Sequence, residues 1–154
     1  MTDLTRLLQK SASTAGPAIA ATFNKEERAL TVEEFRAFWR ATRMFAVATG
    51  GEHGAPHIAP VHVLLEEGDV FRMSIFEDSA RLRDLRRDPR IAVTTWGDDG
   101  TIVILYGRCS EAPDSRRELS RGGQSDGRAV IAMTIEPTRI HVMCPRPRGE
   151  RTVR

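Results

Sequence analysis

The stretch VFRMSIFEDSARLRDLRRDPRIAV, Val70 to Val93, decides how the rest of the chain is read. It predicts a strand, a turn, a short basic helix and a second strand. Residues 70–76 alternate, with Phe71, Met73 and Ile75 on one face and Arg72 and Ser74 on the other. Asp78 or Ser79 can cap the helix, since each offers an oxygen to the free amides of a first helical turn. Leu82 and Leu85 give that helix one buried stripe, while Arg81, Arg83, Arg86 and Arg87 point elsewhere. Pro89 stops it, and Ile91 to Val93 begin the next strand. A strand feeding a capped helix, with Ser79 and Arg81 in its first turn, suits an anion. A solvated basic helix with an ordinary cap has the same pattern, so both readings stand at this point.

Downstream, RIAVTTW (90–96) meets TIVILYGRCSE (101–111) through Gly97-Asp98-Asp99-Gly100, a hairpin signal. DSRREL (114–119) reads as a helical turn and SRGGQSDGR (120–128) as a polar loop. A last strand, AVIAMTIEPTRIHVM (129–143), is broken or bent at Pro137. Upstream of Val70, Glu67-Gly68-Asp69 turns the chain after a strand HIAPVHVLLE (57–66), itself preceded by the turn GGEHGAP (50–56) and the strand MFAVAT (44–49). Thr31 and Glu34 form a capping box. The helix it opens ends near Arg43 and turns Val32, Phe35, Phe38 and Trp39 to one side, a stripe read as core. Before it, Leu4, Leu7 and Leu8 suit one side of a short helix, and SASTAGPAIAAT a small-residue linker or arm. The expected organisation is an N-terminal arm or short helix over 1–30, a domain over 31–144, and a fraying tail over 145–154. Six strands joined by short links, with only small helices, predict a mainly β fold: a closed or nearly closed antiparallel barrel.

At 154 residues the chain suffices for one domain with a real core. A net charge of +2 is too small to argue for nucleic acid. Cys109 and Cys144 fall on separate predicted strands without metal-ligand spacing. They are read as a reduced pair, with a disulfide left open. No run approaches a membrane span, and the start lacks an apolar leader, so a soluble, cytoplasmic protein is expected. His53 and His57 sit at a turn and a strand start, and His57 and His62 on opposite strand faces, so no metal centre is expected. There is no G-x-S-x-G, P-loop or G-x-G-x-x-G, and no residue stands out as a nucleophile or proton-transfer catalyst. Glu66-Glu67 reads as a solvated turn. Pro60 removes an amide from a strongly apolar strand, so one edge there is incompletely paired. An edge strand or bulge explains that, as does a flat ligand lying against the free backbone.

The run GAPHIAPVHVLLEEGDVFRMSIFEDSARLRDLRRDPRIAVTTW, followed by VILYGRCSEA, resembles the split-barrel flavoproteins related to pyridoxamine 5'-phosphate oxidase. The similarity covers roughly residues 33–143. Its most specific part, Ser74 to Arg90, is similar to the flavin/deazaflavin oxidoreductase branch that uses coenzyme F-420. The resemblance implies a six-stranded antiparallel split β-barrel, a homodimer, and a cofactor at the subunit interface. It places Ser79, Ala80 and Arg81 at the phosphate-binding turn and Ser74 with Ile75 at the adjacent strand end. His57, Ile58, Ala59, Pro60 and Val61 fall on the strand whose backbone borders the flavin ring. Where the vitamin B6 oxidases carry an arginine and a lysine on their second strand, this chain has Ala59 and Leu64. Their C-terminal substrate-binding segment has no counterpart either, so true pyridoxamine phosphate oxidase activity is not expected.

The resemblance therefore implies an oxidoreductase in which FMN or coenzyme F-420 exchanges hydride with a small organic substrate. Losing two cations disfavours a doubly charged FMN phosphate more than a singly charged phosphodiester, which tilts the choice towards coenzyme F-420. The alternative is a non-catalytic protein that binds the cofactor or haem. A third option, an interaction module without ligand, draws on Glu77-Asp78, whose charges would repel an anion beside the phosphate turn.

Overall fold

The computed structural model describes residues 3–23, 26–120 and 127–145. Its helices are α1 (Leu4–Ser13), α2 (Pro17–Thr22), α3 (Val32–Ala41) and α4 (Ala80–Arg87). Its strands are β1 (Phe45–Gly50), β2 (Pro56–Val61), β3 (Leu64–Glu66), β4 (Val70–Phe76), β5 (Arg90–Trp96), β6 (Ile102–Glu118) and β7 (Ala129–Met143). The strands form one antiparallel sheet in the order β2-β1-β5-β6-β7-β4-β3.

The split-barrel expectation is right in kind, but the sheet has seven strands rather than six and is not closed. The extra strand arises because the predicted strand 57–66 changes partner at His62-Val63. Before that point β2 pairs with β1, and after it β3 pairs with β4. β2 and β3 are opposite edges of the sheet. Three Cα steps join Val61 to Leu64, so those edges approach within about 11 Å at the link. The sheet must roll to allow this, yet no ladder joins the two edges.

Two further expectations are corrected. DSRREL (114–119) is not a helical turn but the continuation of β6, in which Arg116, Arg117 and Glu118 pair with Ile131, Val130 and Ala129. Between Glu111 and Arg116 the register shifts, and residues 112–115 bulge out with Asp114 at φ 49°. Pro113 and a left-handed Asp114 exclude a helix there, and the β7 ladder captures the residues after the bulge. Of the linker or arm expected for SASTAGPAIAAT, the linker is not what forms: its first part completes α1, which packs on β7 as an arm would, and Gly16-Pro17 opens α2. α1 buries Leu4 and Ser11 against the barrel, and the Ser11 hydroxyl accepts the Ile140 amide at 2.9 Å. The bend expected at Pro137 is a bulge that leaves β7 continuous, with Gly107 facing Pro137 and Tyr106 facing Arg139. The loop 120–128, apart from Ser120, Gly127 and Arg128, and the tail beyond Pro145 lie outside the described residues. Among the described residues no helix is long and apolar enough to cross a membrane. Cys109 and Cys144 are free and buried, and burial pushes the Cys109 thiol up to about 12.

The capping box forms as predicted: the Glu34 amide donates to the Thr31 hydroxyl at 3.1 Å, and the Thr31 amide to the Glu34 carboxylate at 2.7 Å. The helix turns Phe35 and Trp39 fully inward. Trp39 lies 4.6 Å from the Phe45 ring and 4.9 Å from Phe71, centre to centre. Its indole N–H donates to the Val63 carbonyl at 3.0 Å, within the link between the two edges.

A second tie holds β2 to α4. Asp84, buried although its helix is rich in arginine, accepts from Thr49 Oγ1 at 3.0 Å, His57 Nδ1 at 2.5 Å and Arg87 Nη2 at 3.3 Å. Burial pushes its carboxyl upward, but the His57 and Thr49 hydrogen bonds and the nearby His57 and Arg87 outweigh it. The net shift is below the ordinary value. The carboxylate is thus ionised near neutrality and can only accept, which puts the proton on His57 Nδ1.

Trp39→Phe should keep the ring packing but leave the Val63 carbonyl unpaired, lowering stability by about 1–3 kcal/mol in urea unfolding. A variant as stable as the parent would show that carbonyl to be otherwise satisfied. For Asp84 the folded pKa lies below the unfolded one. Its contribution is complete above the ordinary value of 3.8 and is lost as pH falls through the folded pKa. D84N should therefore be less stable at neutral pH and show a shallower loss of stability on acidification, measured as unfolding midpoints from pH 7 downward. Parallel acid profiles would overturn the assignment.

Candidate functional site

β4 buries Phe71, Met73 and Ile75 and turns Arg72, Ser74 and Phe76 to the other face. In the β4–β7 ladder Ser74 faces Ala132 and Phe76 faces Val130, and in the β6–β7 ladder Arg117 faces Val130. Opposed residues of an antiparallel pair share a face. These five side chains, with Arg72, therefore floor one open groove of about 940 Å³. Pro60, Val61, His62 and Leu64 form one wall, the bulge Ala112–Ser115 another, and Ser79 with Arg81 close the end at the start of α4.

Of the two predicted caps, Ser79 is the one used: its hydroxyl oxygen accepts the Leu82 amide at 3.2 Å, leaving its own proton free to donate. Arg81, expected to point away from the core, is half-buried and lines the groove. Its Nε is buried without any hydrogen-bond partner. Burial lowers its pKa, while the charge of Asp84 one turn along acts the other way. A buried cationic donor left unpaired is costly, and an anion in the groove would satisfy it. Arg117 Nη2 donates to Ser74 Oγ at 3.3 Å. Arg72 is committed instead to Glu66 at 2.6 Å and Thr134 at 3.0 Å.

Glu77 and Asp78 do not present bare charge to the groove. Arg116 holds Glu77 at 3.1 Å and Arg128 holds Asp78 at 2.7 Å, and the Arg128 hydrogen bond keeps the Asp78 carboxyl below its usual value. Both carboxylates beside the turn are thus offset by arginines.

The structure brings Pro60, Val61, Ser74, Ser79 and Arg81 together around this groove, which Ile75 also borders although its side chain is on the buried face of β4. Ala80 lies between Ser79 and Arg81, exposed, as the first residue of α4. His57 is instead tied to Asp84. Ile58 and Ala59 face a second surface groove beside Met44 and Trp96, which Pro60 also lines. β2 is an edge strand, as Pro60 indicated, so one side of its backbone carries no ladder. Asp84, Arg117 and the 112–115 bulge escape the sequence reading. The one local signal is Pro113-Asp114, a turn pair inside an otherwise extended run. Among the described residues no cluster of His, Cys, Asp and Glu could hold a metal ion. The donors at one end suit an anionic group, beside a floor that includes Ala132, Val130 and Phe76, the last with the Arg128 guanidinium stacked 3.7 Å from its ring centre.

The chain is similar to several solved structures. A conserved hypothetical protein from Mycobacterium tuberculosis is 18% identical over 84% of this chain and 94% of its own, with a TM-score of 0.65. An F420 reductase is 14% identical over 68% of this chain and 94% of its own, with a TM-score of 0.53. A FAD-binding protein from Mesorhizobium loti is 15% identical over 73% and 92%, with a TM-score of 0.52. At these identities the likeness shows a shared fold. No curated protein sequence matches the chain. The family described as pyridoxamine 5'-phosphate oxidase matches residues 31–142, from the capping box of α3 to the end of β7. This chain therefore belongs to the pyridoxamine 5'-phosphate oxidase family.

Proposed function

We propose that this protein is an oxidoreductase that holds FMN or coenzyme F-420 in the β4–α4 groove and acts on a small organic substrate. The observation that carries the reading is the unpartnered, buried Nε of Arg81 beside the Ser79 cap, at the end of a groove with an apolar floor. Membership of a family with oxidase activity in its description and the fold shared with an F420 reductase and a FAD-binding protein support it.

A flavin or deazaflavin, when bound, supplies hydride transfer. This chain's residues then have binding and positioning roles. Ser79 and Arg81 hold the phosphate, and Ser74 and Ile75 border it. The free edge of β2 near Pro60 and Val61 offers backbone groups to a ring edge, while Phe76, Val130 and Ala132 exclude water. Ala59 and Leu64 offer no charge, so a singly charged phosphodiester makes the smaller demand on the site. Exposed Met44, Ile58, Leu64 and Trp96, the last three 60–69% accessible, suit burial against a second copy. We place the cofactor at that homodimer interface.

Purified protein stripped of ligand should bind FMN or coenzyme F-420 with micromolar or tighter affinity in a titration followed by absorbance and intrinsic fluorescence. Binding of neither would sink the reading. Haem binding alone, or tight cofactor binding with no turnover across a substrate panel, would make the protein a carrier. Arg81→Ala should weaken cofactor binding tenfold or more, corresponding to about 1.5–3 kcal/mol for a charged hydrogen bond. Unchanged affinity would remove Arg81 from the phosphate site.

A further inference from the structure

Besides Arg81, the groove is lined by Arg117 of β6. β6 continues past its bulge to Glu118, and the continuation carries Arg117 into register with Val130, which itself faces Phe76. Arg117 thus starts two strand spacings, about 10 Å, from the β4 backbone. Its guanidinium reaches back across Val130 to Ser74 Oγ, at 3.3 Å. Neighbouring cations are already used: Arg116 pairs with Glu77, Arg128 with Asp78 and Arg72 with Glu66. Among the described residues no carboxylate pairs with Arg117, whose guanidinium makes one long hydrogen bond to a neutral hydroxyl. It also lines the same groove as Ser79 and Arg81.

We propose that Arg117 is the second cation of the phosphate site, opposite Arg81. In this chain the bulged extension of β6 then supplies the charge that the second strand lacks. Two guanidinium groups can each bond a phosphate oxygen, whether the phosphate is a diester or a monoester. Ser74 positions Arg117 while the groove is empty, and the guanidinium exchanges that weak bond for a phosphate oxygen when ligand enters. The bulge makes this possible. Had the register of Glu111 with Met133 run on unbroken, Arg117 would face Gly127, before β7 begins at Ala129, and not Val130. The inference rests on the proposed flavin site but is separable from it.

The test compares ligands with and without the phosphate, and FMN with riboflavin is the pair that differs in nothing else. Dissociation constants for FMN and riboflavin are measured by flavin fluorescence at low and high salt, for the parent protein, R117Q and R117K. Coenzyme F-420 and its phosphate-free deazaflavin riboside form a second pair. The parent should prefer the phosphorylated member of a pair. R117Q should reduce that preference about tenfold and flatten its salt dependence, leave the phosphate-free ligand unchanged, and be largely rescued in R117K. An unchanged preference in R117Q would overturn the proposal and leave the flavin site standing. Equal weakening of both members, with a lower melting temperature, would also overturn it, since Arg117 would then only brace Ser74. If the parent bound no member of either pair, the flavin reading and this inference would fall together.

Discussion

The hydrogen bond from the Trp39 indole to the Val63 carbonyl is the constraint on which the architecture depends. A rolled sheet whose opposite edges are joined by two residues has an awkward place at the joint, where the backbone belongs to neither ladder. Val63 is buried there, and an unpaired carbonyl at such a point would cost much of what its burial gains. The indole solves this from outside the sheet. Its ring packs on Phe45 of β1 and Phe71 of β4, so one side chain touches strands near both edges and holds the joint between them. α3 is tied a second time by Arg36, which grips Asp69 in the β3–β4 turn through two bonds of 2.7 and 2.8 Å. The groove exists because the roll is held at this stage, with its edges adjacent but unpaired.

Asp84 has the corresponding role on the other side. β2 is exposed along most of its length and has a ladder on one side only, the kind of strand that could otherwise pair with a foreign chain. Pro60 blunts that edge, and the His57–Asp84–Thr49 network pins its beginning to α4 and β1. The same helix carries Arg81 at the groove and Asp84 behind it, one turn apart. Fixing β2 against α4 therefore also fixes the distance between a free backbone edge and a cationic helix start. The net charge of +2 says nothing of this arrangement. Local pairing decides it: among the described residues Glu66, Glu77 and Asp78 are matched to arginines, while Asp114 of the bulge and the lining residues Arg81 and Arg117 have no ion-pair partner.

Local patterns are legible in the sequence wherever neighbours along the chain decide the outcome. The alternation of Val70–Phe76, the Ser79 cap, the stop at Pro89 and the Thr31–Glu34 capping box all hold, because each concerns residues within one turn or one strand. The edge position of Pro60 is legible for the same reason: a missing amide disfavours a central strand. The strand count is not, since a change of partner at His62-Val63 leaves the run of strand-forming residues unbroken. DSRREL misleads because its composition is helical while its fate is set by β7, more than ten residues away in sequence. Asp84 and Arg117 are invisible among many charges. What separates them from a solvated face is a contact with Thr49, His57 or Ser74, each at least 27 residues distant.

This division of labour bears on what the fold can do. The groove supplies charge at one end, an apolar floor and a free backbone edge, and among the described residues it offers exposed His62 but no buried acid–base pair. Such a site suits a ligand that brings its own reactivity, for which the protein need only provide position and electrostatics. The roll needs a satisfied joint, and the ligand end needs positive charge, but neither requirement fixes which strand must deliver it. In the reading proposed above, a cation that the second strand lacks stands instead on the sixth, where a bulge carries Arg117 into register with Val130. Fold therefore constrains where a ligand lies more strictly than which residues hold it, and the latter must be read from the contacts of each chain.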